Sequence, residues 1–446
     1  MSEKKDDSKE ETALTQTSRS DLRRLNVNLK TTERVLSRTE DRFVEFFQRH
    51  DAFFVQLISR WYPLSRELID HYSHQWYWEG HDGLSGNPNL SWNAALIEDY
   101  SEYWDWEQLS RNKNLTWTDE LIGRFSERWH WGDDEKIALS RNEELPWSRN
   151  LIEKYINRWH WGGKRGLSIN NALPWSQKLI SRFENRWNWR LGGLSENKGL
   201  PWCEELISRW SDKWAWGGKR ESDGLREPGG LSLNEALPWT KELLKRFSES
   251  WNWGRDGLSK NGSLPWTESL LELYADRWDW ESLARNEGLP WTNELISRHN
   301  SRWNWVGLSG NVALPWSKSI IERYSDRWSW GKPGMSPNEG IPWTEDLIAE
   351  HADQWHWKDY GLSANESLPW TRSLIERYED RWSWEGYKRG YGGLSRNEAL
   401  PWSLTLIERY SERWEWEALA SNPGVWEKAF AEHVTPDVIR QVMSRR

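Results

Sequence analysis

The chain has a single cysteine, Cys203, so no internal disulfide can staple it, and a reducing setting is expected. No stretch approaches the roughly 18 consecutive apolar residues of a membrane helix. Residues 1–30 are polar and charged, without the apolar segment of a secretory signal. These absences predict a soluble, cytoplasmic protein that makes no membrane contact. A net charge of −9 gives no overall pull toward nucleic acid or anionic lipid. Apolar residues make up only 37% of the chain, little for one bulky core, and 41 tryptophans supply the missing area.

The tryptophans are periodic. A Trp following Pro in most copies recurs twelve times from Trp92 and Trp117 to Trp370 and Trp402, and twelve residues after each comes a W-x-W pair, as at Trp104 and Trp106. Eight residues before each leading Trp stands the Leu, once Met335, of an L-S-x-N element. All length variation falls between W-x-W and the next L-S-x-N, from three residues (Trp106 to Leu109) to fifteen (Trp216 to Leu231). Such self-similarity marks a repeat array rather than two or three globular domains.

Within a unit the pattern is helical. Thr292 illustrates the expected N-cap, with Trp291 and Ile296 in the hydrophobic-staple positions. Apolar residues four, five, eight and twelve places after the leading Trp, as Leu96, Ile97, Tyr100 and Trp104, share one face of a helix of about twelve residues. The second Trp of the pair falls off that face, so either the helix ends there or that ring packs on the neighbouring unit. The Asn of L-S-x-N is expected to terminate a short turn, where its tolerance of the left-handed region suits it.

The spacing therefore predicts an all-α solenoid of about 13 short helical repeats with a 25-residue core, counting a degenerate first unit in which Leu64 replaces the leading Trp. A leucine-rich-repeat-like array is the alternative, since L-S-x-N superficially matches a strand-turn signature. Residues 1–30 are read as a disordered tail and 31–62 as an N-terminal helix or cap that offers a surface for self-association. Residues 63–422 are read as the solenoid and 423–446 as a C-terminal cap helix. Because each unit touches only its neighbours, an open, elongated molecule is expected.

The unit L-S-x-N-x-x-L-P-W-[ST]-x-x-L-I, closed by W-x-W, resembles the Asn-Pro-Asn and Trp-rich tandem repeats of giant-virus and bacterial proteins. Gly86-Asn87-Pro88-Asn89-Leu90-Ser91-Trp92 is the copy nearest that pattern, and the resemblance spans roughly residues 64–426. It implies a repeat fold and no particular activity.

The repetition argues against catalysis, because an active site is needed once, and Ala284 and Ala420 replace two of the recurrent serines. No catalytic residue, cofactor or metal is expected; His299 and His351 lie two units apart without ligands at metal spacing. Candidate binding residues fall into two groups. Lys219, Arg220 and Arg226 lie in one long insert and Tyr387, Lys388, Arg389 and Tyr391 in another. Arg323, Arg327, Arg377 and Arg381 belong to a basic stripe seven and eleven places after the leading Trp. The expected function is a non-enzymatic scaffold that meets a protein partner through its extended surface and variable loops. The alternative is a module reading glycan or nucleic acid through exposed Trp and Arg ladders.

Overall fold

The computed structural model describes residues 40–190, 192–219, 226–227, 229–358, 360–385 and 392–446. The fold is all-α. A six-residue helix recurs from Arg66–His71 to Leu404–Arg409, thirteen times among the described residues. L-S-x-N forms a 3-10 turn or the end of a short helix, not a strand. Among the described residues the only strands are the two-residue pair Gly218–Lys219 and Arg226–Glu227, at the base of the longest insert. The leucine-rich-repeat alternative therefore falls.

Each helix starts as its sequence dictates. Thr118, Ser148, Ser176 and Thr292 accept the N–H three residues on, and so do the less usual caps Asn93 and Cys203. The helix is half the expected twelve residues. Its aromatic residue, Tyr100 for example, leaves helical geometry at φ −115° and ψ 27°. The indole N–H of Trp104 donates to the Ile97 carbonyl and that of Trp106 to the Ser101 carbonyl. The W-x-W pair thus satisfies carbonyls orphaned at the helix end, a role that a longer helix would give to backbone amides.

Successive turns are joined by the asparagine. In Asn286, the Nδ2 group donates to the Ser259 and Asn261 carbonyls of the preceding turn at 3.0 and 3.2 Å. Its Oδ1 accepts from Gly288 N and its own carbonyl accepts the Trp291 indole N–H. The same bridge recurs from Asn112 to Asn422. The asparagine does not adopt the left-handed region: wherever it ends a turn, φ lies between −83° and −63° with ψ between 107° and 119°. Asn is required for its carboxamide, which both donates and accepts, and not for backbone tolerance.

Beside this ladder lies a cluster of four rings at each junction. The second ring of one W-x-W, Trp106, packs 5.3 Å from Phe125 and 5.0 Å from Trp129 of the next unit. Trp129 in turn lies 5.0 Å from its own leading Trp117. Burial of one Trp is worth roughly 4–6 kcal/mol as an upper estimate. The rings therefore supply most of the cohesion, while the asparagines fix the register.

The array is not open. The turn at 59–62 takes the place of an L-S-x-N element: Asn87 Nδ2 donates to the Ser59 and Tyr62 carbonyls at 2.8 and 3.0 Å. Ser59 lies in the last turn of the helix Asp51–Trp61, where its carbonyl lacks a helical partner, and Tyr62 is the C-cap, its carbonyl also accepting Leu64 N. Trp61 stands where an asparagine would, and its indole N–H reaches the Ala420 carbonyl at 2.8 Å, on the last turn of the array. Trp416 packs on Phe46, His50 and Phe53 instead of on a following unit. Phe430 inserts among Phe43, Phe46, Phe47 and Phe53. Arg42–Glu408 and Arg440–Glu67 pairs tie the same ends together at 2.5 and 3.2 Å. The solenoid closes on itself, contrary to the elongated shape expected.

Closure also redefines the flanks. The N-terminal segment is two helices, residues 40–49 and Asp51–Trp61, parted at His50. Their apolar residues are buried within the chain: Phe43 is 4% exposed and Phe47, Phe54 and Ile58 are fully buried. The face read as a self-association surface is already occupied. The C-terminal flank is a tight turn around Trp426–Phe430 followed by the helix Pro436–Met443, capped by Thr435. The tail proposed for residues 1–30 lies outside the described residues.

Asn286→Ala strands the Ser259 carbonyl and the Gly288 N–H and leaves the Asn261 carbonyl with the Trp266 indole alone, and is expected to cost about 2–4 kcal/mol. Thr292→Ala, which removes only a cap, should cost about 1 kcal/mol. Chemical denaturation of both variants checks the order; equal losses would contradict the bridging role.

Candidate binding surfaces

The serine of L-S-x-N is a structural clasp. Ser259 Oγ accepts Asp279 N, twenty residues on, at 2.9 Å, and donates to the carbonyl of Trp253, just before the insert. Leu258 N and Asn252 O add a backbone bond at the same point. This pinch recurs under inserts of every length: Leu84 N reaches Tyr77 O, Leu231 N reaches Ala215 O and Leu394 N reaches Ser383 O. The longest insert re-enters through Gly229 and Gly230, at φ 102° and 69°. A Cβ on Gly230 would sit 2.2 Å from the Ala215 carbonyl oxygen, so only glycine closes the loop there. Where the gap is three residues, the chain runs on as a short helix, and Asp105, Asp279 and Asn304 cap it.

The inserts therefore leave the array from equivalent points and form one variable rim. Lys219 and Arg226 are partners in the two-residue strand pair at the base of the longest insert. Arg220, Tyr387, Lys388, Arg389 and Tyr391 lie outside the described residues.

The basic stripe works within the array. Arg381 stacks 5.4 Å over Trp357 of the preceding unit and donates to the Ala352 carbonyl and to Asp353 at 2.7 and 2.8 Å. The Trp357 indole donates to that same carbonyl, so ring and guanidinium share one acceptor. Arg327 repeats the arrangement over Trp305 with Asn300 as partner. Arg377 pairs with Glu345 of the preceding unit at 3.5 Å, and Arg323 lies 5.4 Å over Tyr324. Glu127 and Asp380, the acids preceding Arg128 and Arg381, pair forward with Arg158 and Arg413 of the next unit.

The tryptophan columns are similarly committed. The first ring of each W-x-W from Trp104 to Trp414 is only 4–5% exposed. The second ring of each pair, from Trp106 through Trp416, is buried or half-buried against the neighbouring unit or the N-terminal helices. His299 and His351 occupy the aromatic column, 5.0 and 4.5 Å from Trp280 and Trp330. No group of three or more metal-ligating side chains occurs among the described residues.

One cleft is built from the two ends of the array. Where the ends of the array meet lies a cleft of about 760 Å³, walled by residues of the first unit, the helix Asp51–Trp61, the last two turns and Arg446. Its residues come from segments hundreds of positions apart, and no spacing rule could have assembled them. No family model, curated protein or solved structure matches the chain.

Burial, with Arg302 and Arg298 adding to it, holds His299 below the ordinary imidazole range. The unfolded chain therefore takes up a proton first as pH falls, and stability should be full above about pH 6.5 and decline below it. His299→Phe should reduce that decline in urea titrations at pH 7 and pH 5. An unchanged pH slope would contradict the desolvated position.

Proposed function

We propose that this protein is a non-enzymatic closed scaffold that presents a rim of variable loops to a protein partner. The observation that carries the reading is the identical pinch beneath inserts of different length. A loop closed at its base by the same bonds can change in length and chemistry without disturbing the core, which is how a rigid frame displays a binding surface. The Trp and Arg ladders serve this reading poorly as ligand platforms, because their rings and guanidiniums are occupied in joining units. The likeness of the unit to Trp-rich tandem repeats bears on its architecture and supplies no activity.

Among the described residues no helix is long and apolar enough to cross a membrane. A cytoplasmic setting fits Cys203, whose sulfur caps a helix and which has no second cysteine in the chain to pair with.

Shortening residues 217–230 and 385–393 to the three-residue gap found after Trp106 should leave the unfolding midpoint nearly unchanged and abolish capture of the partner from native lysate. Neutralising Arg323, Arg327, Arg377 and Arg381 to Gln should lower stability while capture by the remaining folded protein persists. Capture that survives loop shortening but fails, with reduced salt dependence, on arginine neutralisation would favour the glycan or nucleic-acid reading instead.

A further inference from the structure

The cleft at the seam is lined by both ends of the array. Elsewhere adjacent units meet through the same four rings and one asparagine; here the first unit meets the far end of the chain around a space of about 760 Å³. That volume lies within the range of small-molecule sites.

The two ends bring opposite chemistry. The first unit contributes Glu79 and Asp82 to the lining. His81 stands between Arg60 and Asp82, its Nε2 3.1 Å from Arg60 Nη2 and its Nδ1 3.0 Å from the Asp82 carboxylate. His81, and across the seam Ser421, hold the Asp82 carboxyl below the usual carboxylate range. The other end contributes two guanidiniums, Arg396 and Arg446, with Glu417 between the strands of chain that carry them. The cleft is thus dipolar, acidic toward the first unit and basic toward the last.

Its polar groups are incompletely used. Arg396 Nε is buried without a partner, and its Nη2 lies 3.7 Å from Glu415, beyond hydrogen-bond reach. The buried Gln75 Oε1 has no donor. Arg446 spends only its Nε on Asp51, at 3.3 Å. An occupant that suits these groups carries an anionic end for the guanidiniums and a cationic donor for Glu79, Asp82 and the Gln75 carbonyl. A polyanion would meet two carboxylates, and a simple cation would meet two arginines.

We propose that the seam cleft binds a short peptide with free termini, its carboxylate toward Arg396 and Arg446 and its ammonium toward Glu79. Because both ends of the array line the site, the peptide binds only the closed form and holds it closed.

Calorimetric titration of the full chain with alanylalanine, its N-acetyl form and its C-terminal amide tests this. The free dipeptide should bind saturably and raise the unfolding midpoint, and each blocked form should bind about tenfold more weakly. Arg396→Gln should weaken the free and N-acetyl forms while sparing the amide, and Glu79→Gln should weaken the free and amide forms while sparing the N-acetyl one. Far-UV circular dichroism checks that both variants fold, and Arg323→Gln, remote from the seam, should titrate as the parent does. Absence of binding by all three probes overturns the proposal, and so does equal binding of free and blocked forms or indifference to both substitutions.

Discussion

One side chain connects every turn of this molecule to the one before it. The asparagine carboxamide gives two N–H groups to the preceding turn and accepts one N–H from its own, while its backbone carbonyl receives an indole. Both its donors and its acceptor are used in a buried place, where an unpaired group would cost about 1–3 kcal/mol. Aspartate has no donor and leucine has neither, which explains recurrence of this residue in every complete copy. Rings supply the larger energy, but rings alone tolerate sliding. The amide ladder fixes the unit spacing, and the spacing sets which ring meets which.

Closure follows from the same requirement. An open array leaves one turn without a donor and another without an acceptor, together with an exposed Trp at one end. Here the end of a helix supplies the missing carbonyls at Ser59 and Tyr62, and Trp61 supplies the missing N–H to Ala420. The phenylalanines of residues 40–54 replace the aromatic column that a further unit would bring to Trp416. Capping in this chain is mutual, since each end covers the other.

The local rules were legible in the sequence. Ser or Thr after the leading Trp announced the caps, and constant spacing announced a locked core. The basic stripe was legible as residues seven and eleven places after the leading Trp, though not its commitment to the rings and acids of the preceding unit. Helix length was not legible, because periodicity places Trp104 on the helix face whether or not the chain still turns as a helix there. The conformation of the asparagine was misread because turn propensity speaks of a residue alone, and this residue is chosen for its partner in another unit. Closure was hidden for a similar reason. Ser59 and Trp61 mimic the repeat by position in space, and their sequence, Ile58-Ser59-Arg60-Trp61, lacks the asparagine that identifies the motif. The seam cleft depends on closure and was invisible with it.

The claim that the ladder closes on itself is tested most directly by the separation of the ends in solution. Spin labels at Glu45→Cys and Glu412→Cys, with Cys203 replaced by Ser, sit on the two sides of the seam. Pulsed dipolar spectroscopy should give one narrow distribution at short distance, because the helices at 40–61 and the last unit are packed together. A broad distribution at long distance, as from the ends of an open superhelix, would contradict closure.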